Sequence, residues 1–181
     1  MAEKTETRLV EAAQGGHLDS LGALYERYYR AMVALAYSVL RDRNQAEDAA
    51  QESFAIACRE LPTLRSSEKF AVWLGSICRN VARQMQRRES RLAEKAIQKP
   101  SANEQSRNEH GDVVRRAVWK LRAGDREVIV LRYYDNMAYN QIAAVLGISA
   151  AAVHGRLVRA KRKIAKQLKR DGLTGGDHEE R

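Results

Sequence analysis

Residues Gln141–Arg170 read QIAAVLGISAAAVHGRLVRAKRKIAKQLKR. Ile142 and Leu146 stand four apart and precede Gly147. A short turn follows and ends at Ser149, a residue type that caps helices, and Val153, Leu157, Ala160 and Ile164 then carry a new apolar seam. Two amphipathic helices about a glycine turn form a helix-turn-helix. At about 100° per residue, the second seam leaves Ala151, Gly155, Val158 and Arg162 pointing away from it, with His154 and Arg159 at the flanks. Eight Lys or Arg and no acid lie between Arg156 and Arg170, a density suited to phosphate contacts.

The expected reading helix opens on Ala150, Ala151 and Ala152. Ala151 and Gly155 let its axis come close to bases and can meet thymine methyls, but they offer no hydrogen bond. Base reading falls to His154, Arg159 and Arg156, with Ser149 capping the helix that carries them. That is thin equipment for a protein that finds its site alone, so further discrimination is expected elsewhere in the chain or in a partner.

Outward from this segment, apolar residues recur at helical spacing and no convincing strand-like alternation occurs, which predicts an all-α fold. Leu21, Leu24, Tyr28, Met32, Leu35 and Val39 form one face of a long helix. A second is expected to begin at Asn44 as cap, with Glu47 as capping-box partner, and to bury Ala46, Ala50, Phe54, Ala57 and Leu61. A third is expected from near Ser66, burying Phe70, Trp73 or Leu74, Ile77, Val81 and Met85. Val114, Val118 and Leu121 line a further helix that Gly124 is expected to stop, and Asp125 is the expected cap of the next.

Two helical units follow, residues 1–92 and 112–170, joined by a flexible linker over 93–111 that contains Pro100 and is the least apolar interior stretch. A polar, glycine-rich tail over 171–181 reads as disordered.

Among 181 residues, 32 Lys and Arg outnumber 23 Asp and Glu for a formal charge of +9, which favours a polyanionic partner and would also suit a membrane surface. The N-terminus has no apolar run of signal-peptide length, and the longest apolar stretch, AMVALAYSVL, is too short to span a bilayer. The reading is cytoplasmic, without membrane insertion. Cys58 and Cys78 sit in expected helices without CxxC spacing and read as ordinary buried thiols.

Arg79, Arg83, Arg87 and Arg91 form a stripe on one helix, a second phosphate track. Trp73 and Phe70 lie just before it, behind the polar loop PTLRSSEK. Aromatic rings beside a cationic stripe suit unpaired bases, although Phe70 is the better candidate for a core position. Asp48 and Glu52, four apart beside Gln51, make an acidic face. Like charges at that spacing cost about 0.2–0.5 kcal/mol, which a basic partner would offset.

At these residues the chain resembles the sigma-70 family of bacterial RNA polymerase sigma factors, in particular its small extracytoplasmic-function group. The likeness is carried by LYERYYRAMVALAYSVLRDRNQAEDAAQESFAIACREL, FAVWLGSICRNVARQMQRR and LRAGDREVIVLRYYDNMAYNQIAAVLGISAAAVHGRLVRAKRKI, in that order. It implies a non-catalytic subunit, without metal or cofactor, that brings core RNA polymerase to promoter DNA. By resemblance, Asp48, Gln51 and Glu52 dock on the β′ clamp helices. The loop Pro62–Lys69 and the helix after it, with Trp73, Arg79 and Asn80, capture a flipped base of the −10 element, and Arg83 and Arg87 extend that track. The helix-turn-helix sits on the β flap and reads the −35 element as duplex, with Ser149, Ala151, His154, Gly155, Arg156, Arg159 and Arg162 at its matching positions. An anti-sigma protein is implied as a separate regulator.

Two weak elements whose spacing a polymerase fixes reinforce one another through effective concentration, which accounts for the sparse reading helix. The pattern departs from the family at Ala138, where Ser or Thr is common, and at Ala150 and Ala152. An autonomous helix-turn-helix regulator is the alternative, but no dimerisation heptad is present. A metalloenzyme using Glu47, Asp48, Glu52 and a histidine finds no support, since His17, His110, His154 and His178 are scattered.

Overall fold

The computed structural model describes residues 2–95 and 109–172, with side chains over 6–92 and 111–172; most of the expected linker and nearly all of the expected tail lie outside the described residues. Among the described residues the fold is all-α: α1 (Ala2–Gln14), α2 (Leu18–Leu40), α3 (Arg43–Glu60), α4 (Phe70–Lys95), α5 (Glu109–Trp119), α6 (Ala123–Tyr133), α7 (Tyr139–Leu146) and α8 (Ala150–Arg170). Short 3-10 turns at Leu61–Thr63 and Ser67–Lys69 join α3 to α4.

The expected faces of α2 and α4 are inside: Leu24, Met32, Leu35, Leu74 and Cys78 are fully buried, with Tyr28, Phe70 and Val81 nearly so. Beyond that face, Ala31, Val33, Ala34 and Ala36 are buried as well, so mid-α2 is enclosed all round. A helix that is apolar around its circumference needs neighbours on every side. Here α3 and α4 cover one side and α6 another, and the long apolar run Ala31–Leu40 is the central post of the molecule.

Several helix starts differ from expectation. The cap of α3 is Asp42, whose Oδ1 accepts from the Gln45 amide at 2.9 Å, so Asn44 lies inside the helix. Glu47 pairs with Arg43 at 2.9 Å instead of closing a capping box. Ser66 caps nothing with its side chain, and α4 proper starts at Phe70. Gly124 stands in the first turn of α6, and Asp125 is not its cap but a buried acceptor for α8. Val114 is exposed, and α5 packs through Ala117 and Val118.

The helix-turn-helix forms as read. Gly147 adopts φ 65°, where L side chains are disfavoured, and Ser149 Oγ accepts from the Ala152 amide at 3.1 Å. At the start of α7, Gln141 Oε1 accepts from the Ala138 amide at 2.8 Å, which is half of a capping box. Alanine has no acceptor for the other half. Ala138→Ser supplies one at a backbone already extended, φ −69° and ψ 155°. It is expected to stabilise the fold by about 0.5–1 kcal/mol, a rise of about 1–4 °C in Tm read by thermal denaturation; an unchanged Tm would mean that the α7 amides are already satisfied.

The two halves share one continuous buried cluster. α7 lies on α4 so closely that a Cβ on Gly75 would meet the Val145 carbonyl oxygen at 2.6 Å, and one on Gly147 would meet Val72 at the same distance. Arg126 Nε donates to the Ser38 carbonyl at 2.6 Å, and its guanidinium and that of Arg41 lie 5.4 and 5.1 Å from the centre of the Trp119 ring. Tyr37 stacks on Tyr134 with centroids 5.3 Å apart. No single helix among the described residues is long and apolar enough to cross a membrane.

Candidate nucleic-acid interface and docking face

Three surfaces carry the candidate residues. The first is on α3. Ala46, Ala49, Ala50, Ser53, Phe54 and Ala57 are buried, which turns the opposite side outward. Asp48, Gln51 and Glu52 are all exposed there. Because Arg43 begins the helix, Asp48 lies beyond the first turn and gains little from the helix dipole. Glu47 has its own cation, whereas Asp48 and Glu52 form no ion pair among the described residues. Two unpaired like charges are thus held one turn apart on a rigid, alanine-packed helix.

The second surface is on α8. Val153, Leu157 and Ala160 are buried against α5, α6 and α7. Ala151, His154, Val158, Arg159 and Arg162 are exposed on the outer side, with Gly155 half-buried among them. Asp125, only 7% exposed, ties this helix down: Lys163 Nζ donates to its Oδ2 at 2.6 Å, and Arg159 Nη2 stands 4.0 Å from its Oδ1. Arg156 leans back over Gly124 at the start of α6 instead of projecting outward, since a Cβ on Gly124 would meet its Nη1 at 2.9 Å. The outward set is therefore small residues first and arginines after.

Sequence reasoning missed part of this surface. Tyr139 and Asn140 at the start of α7 are exposed, and the Tyr139 ring lies 6.1 Å from His154 and under the Arg132 guanidinium at 5.6 Å. The available signal was the turn itself, which sets the first residues of one helix beside the first residues of the next. Lys161 similarly lies over the exposed Tyr133 ring at 5.5 Å.

The third surface is on α4. Asn80, Arg83, Arg87 and Arg91 are exposed, and Trp73 is half-buried with its ring 5.9 Å from Phe70, a core residue. Arg79 is different. Its Nε lies 3.4 Å from Glu127 Oε1 of α6, with only 16% and 10% of the two side chains exposed. A cleft of about 420 Å³ separates α4 from the second half there, lined by Ser76, Arg79, Asn80, Arg83, Glu127 and Arg156 among others. That is the room of a small ligand, not of a duplex.

The two cysteines have opposite environments. Cys78 donates to the Met32 carbonyl at 3.3 Å, and burial pushes its thiol up to about 12, so it is chemically quiet. Cys58 is exposed, contrary to the reading of both as buried. The described residues contain no group of three or more His, Cys, Asp or Glu able to hold a metal.

Comparison with known proteins matches both halves to sequence families. Residues 24–92 match sigma-70 region 2 and residues 112–164 match sigma-70, region 4. The chain is 26% identical over 162 residues to the RNA polymerase sigma factor YlaC of Bacillus subtilis, covering 84% of this chain and 94% of that one. It is 29% identical over 168 residues to the probable RNA polymerase sigma factor RfaY of Xanthomonas campestris, spanning 86% of itself but only 42% of that longer protein. Several further relatives are named ECF RNA polymerase sigma factors. Among solved structures, CnrH, the RNA polymerase sigma factor of Cupriavidus metallidurans, in complex with the cytosolic domain of CnrY, superposes with a TM-score of 0.63 at 28% identity, over 92% of this chain and 98% of CnrH.

Proposed function

The chain belongs to the sigma-70 family, in its extracytoplasmic-function group, and from that membership we propose how its three surfaces divide the work of starting transcription. It is a promoter-recognising RNA polymerase sigma factor, a specificity subunit with no reaction of its own. The finer assignments rest on residues. Residues 1–92 serve as the core-binding and −10-reading unit, 112–170 as the −35-reading unit, and 93–111 as the connection between them. Asp48, Gln51 and Glu52 moor the chain to the β′ clamp helices. Trp73, Arg79, Asn80, Arg83 and Arg87 take the −10 element, with the loop Pro62–Lys69 receiving a flipped base. Ser149, Ala151, His154, Gly155, Arg156, Arg159 and Arg162 belong to the −35 surface, which also meets the β flap.

One observation carries this division: the unpaired acids of α3 and the exposed cations of α4 and α8 lie on separate outward faces, so one short chain offers contacts of both signs at once. An acidic face that binds protein and cationic faces that bind phosphate do not compete. The protein is then expected to act in the cytoplasm, where polymerase and DNA are, under the control of a separate anti-sigma protein. Support for that last point comes from CnrH, solved with the cytosolic domain of a second protein.

With Arg79 held by Glu127, reading both elements together requires the halves to part. An autonomous regulator is not favoured, because it leaves the region-2-like half without a task.

Purified protein mixed with core polymerase and a promoter library should give initiation at selected sites, and failure to form a stable complex with core would overturn the proposal. On the −35 side, the exposed Arg162 and the loosely tethered Arg159 are expected to bind phosphates without regard to sequence. Replacing both by Ala should weaken binding to every duplex and lower the slope of log K against log salt by about 0.9 for each phosphate no longer neutralised. A variant that discriminates less between sequences at an unchanged salt slope would assign those arginines to bases instead.

A further inference from the structure

α1 lies outside the stretches matched to the sigma-70 regions, which begin at residue 24. It is nonetheless firmly seated. Val10 is fully buried, and Tyr28 of α2 donates its hydroxyl to Glu6 Oε2 at 2.6 Å, with Arg27 at 3.6 Å from the same oxygen. From this fixed base the last residue of α1 reaches the loop between α3 and α4. Gln14 Nε2 donates to the Leu61 carbonyl at 3.0 Å and to the Leu64 carbonyl at 2.8 Å. One turn earlier, Glu11 Oε1 accepts from Ser67 Oγ at 3.3 Å. The loop is thus tied to α1 on both sides of Arg65 and Ser66.

The consequence lies in which backbone groups remain available. The Leu64 amide is spent on the Leu61 carbonyl at 3.1 Å and the Lys69 amide on the Ser66 carbonyl at 3.0 Å. The carbonyls of Leu61 and Leu64 are spent on Gln14. The amides of Arg65 and Ser66 meet no acceptor among the described residues, and the Arg65 side chain is exposed. The Arg65 carbonyl between them is free among the described residues as well, so around Arg65 the pinned loop offers one fixed pattern of two donors and an acceptor to the edge of an extruded base. Selectivity among bases requires that pattern to be held in one geometry, because a loop free to turn would pair with a donor edge as readily as with an acceptor edge.

We infer that Gln14 is a positioning residue for base selection: by occupying the Leu61 and Leu64 carbonyls it fixes the backbone pattern that the loop presents around Arg65, and α1 is the strut of the −10-reading site. This rests on the proposed role of the loop Pro62–Lys69 in receiving a flipped base.

The test uses the full chain assembled with core polymerase on templates that carry each of the four bases in turn at every position of the −10 element. Gln14→Leu keeps the side-chain bulk and removes both donors. The wild-type complex should prefer one base strongly at one position, and the variant should lose about five- to tenfold of that preference, as expected for two hydrogen bonds of ordinary net worth. Association with core and dependence on the −35 element should not change, whereas a merely structural role would lower all of these together. Ser67→Ala provides a second and smaller release of the same loop. Hydrogen exchange should speed up over residues 61–69 in both variants, with the helices still protected. A wild type that discriminates, paired with a Gln14→Leu variant that discriminates equally well, overturns the role of Gln14 alone. A wild type indifferent to every −10 base overturns the role of the loop, and the inference falls with it.

Discussion

Replacing Asp48 and Glu52 together by Lys should abolish stable association with core RNA polymerase and leave the fold and the affinity of α8 for duplex DNA unchanged. Both side chains are exposed and have no ion-pair partner among the described residues, so their replacement breaks nothing within the molecule. Surface substitutions of this kind usually stay within about 0.5 kcal/mol of the parent stability. The reversal also keeps a like-charge pair at the same spacing, so the local repulsion of about 0.2–0.5 kcal/mol persists and only the sign of the face changes. Against a basic partner surface the change is large. Truncating one member of a charge pair that docking buries and hydrogen-bonds costs about 2–5 kcal/mol, and reversal at two such positions adds repulsion, so at least about a hundredfold loss of affinity is expected. Titration of labelled protein with core polymerase measures it, with a gel shift on duplex DNA as control. Equal loss in both assays would mean that the acidic face is misassigned. Glu47→Lys should do less to docking and more to stability, because Glu47 is occupied by Arg43 at 2.9 Å.

How far these surfaces could be read from the chain depended on whether each feature was local. The helix-turn-helix was fully legible: Gly147 demands a left-handed backbone, Ser149 caps, and Val153, Leu157 and Ala160 repeat at the spacing of a buried seam. The acidic face of α3 was legible for the same reason, since its burial pattern lies within one helix. What stayed hidden depends on residues far apart in sequence. Nothing near Asp125 announces that it will hold Lys163, 38 positions on, so its position before a helical run made it look like a cap. Arg79 reads as one rung of an arginine stripe, and only the tertiary fold brings Glu127 against it. The apolar circumference of mid-α2 was visible as a run of letters, but its meaning, a post between two halves, requires knowing that α6 returns to cover it. Tyr139 and Asn140 were missed because they precede the turn that drew attention to α8.

The pairing of Arg79 with Glu127 leads to the other large effect. In the closed arrangement an arginine assigned to the −10 element is neutralised by α6 and stands over a cleft too narrow for DNA. Its availability then depends on an equilibrium between closed and parted halves, and a ligand shifts that equilibrium only through its preference for one state. Glu127→Lys converts an attraction between two largely buried groups into a repulsion. Breaking one member of a buried pair costs about 3–5 kcal/mol, all of it charged to the closed state, which favours the parted state by about a hundredfold or more. Arg126 on Ser38, Tyr37 on Tyr134 and the close seat of Gly75 under Val145 resist, so the opening need not be complete. Distances between spin labels follow it directly. Cys58 is exposed and Cys78 is buried with its thiol held up to about 12, so the native Cys58 takes one label selectively and Lys169→Cys at the end of α8 takes the other. The variant should show a longer and broader distribution than the parent, and the isolated protein should bind a single-stranded −10 oligonucleotide more tightly by a comparable factor. A longer distance with no gain in binding would mean that α6 does not mask Arg79, whereas a single short distance would mean that the Arg79–Glu127 pair does not govern the opening.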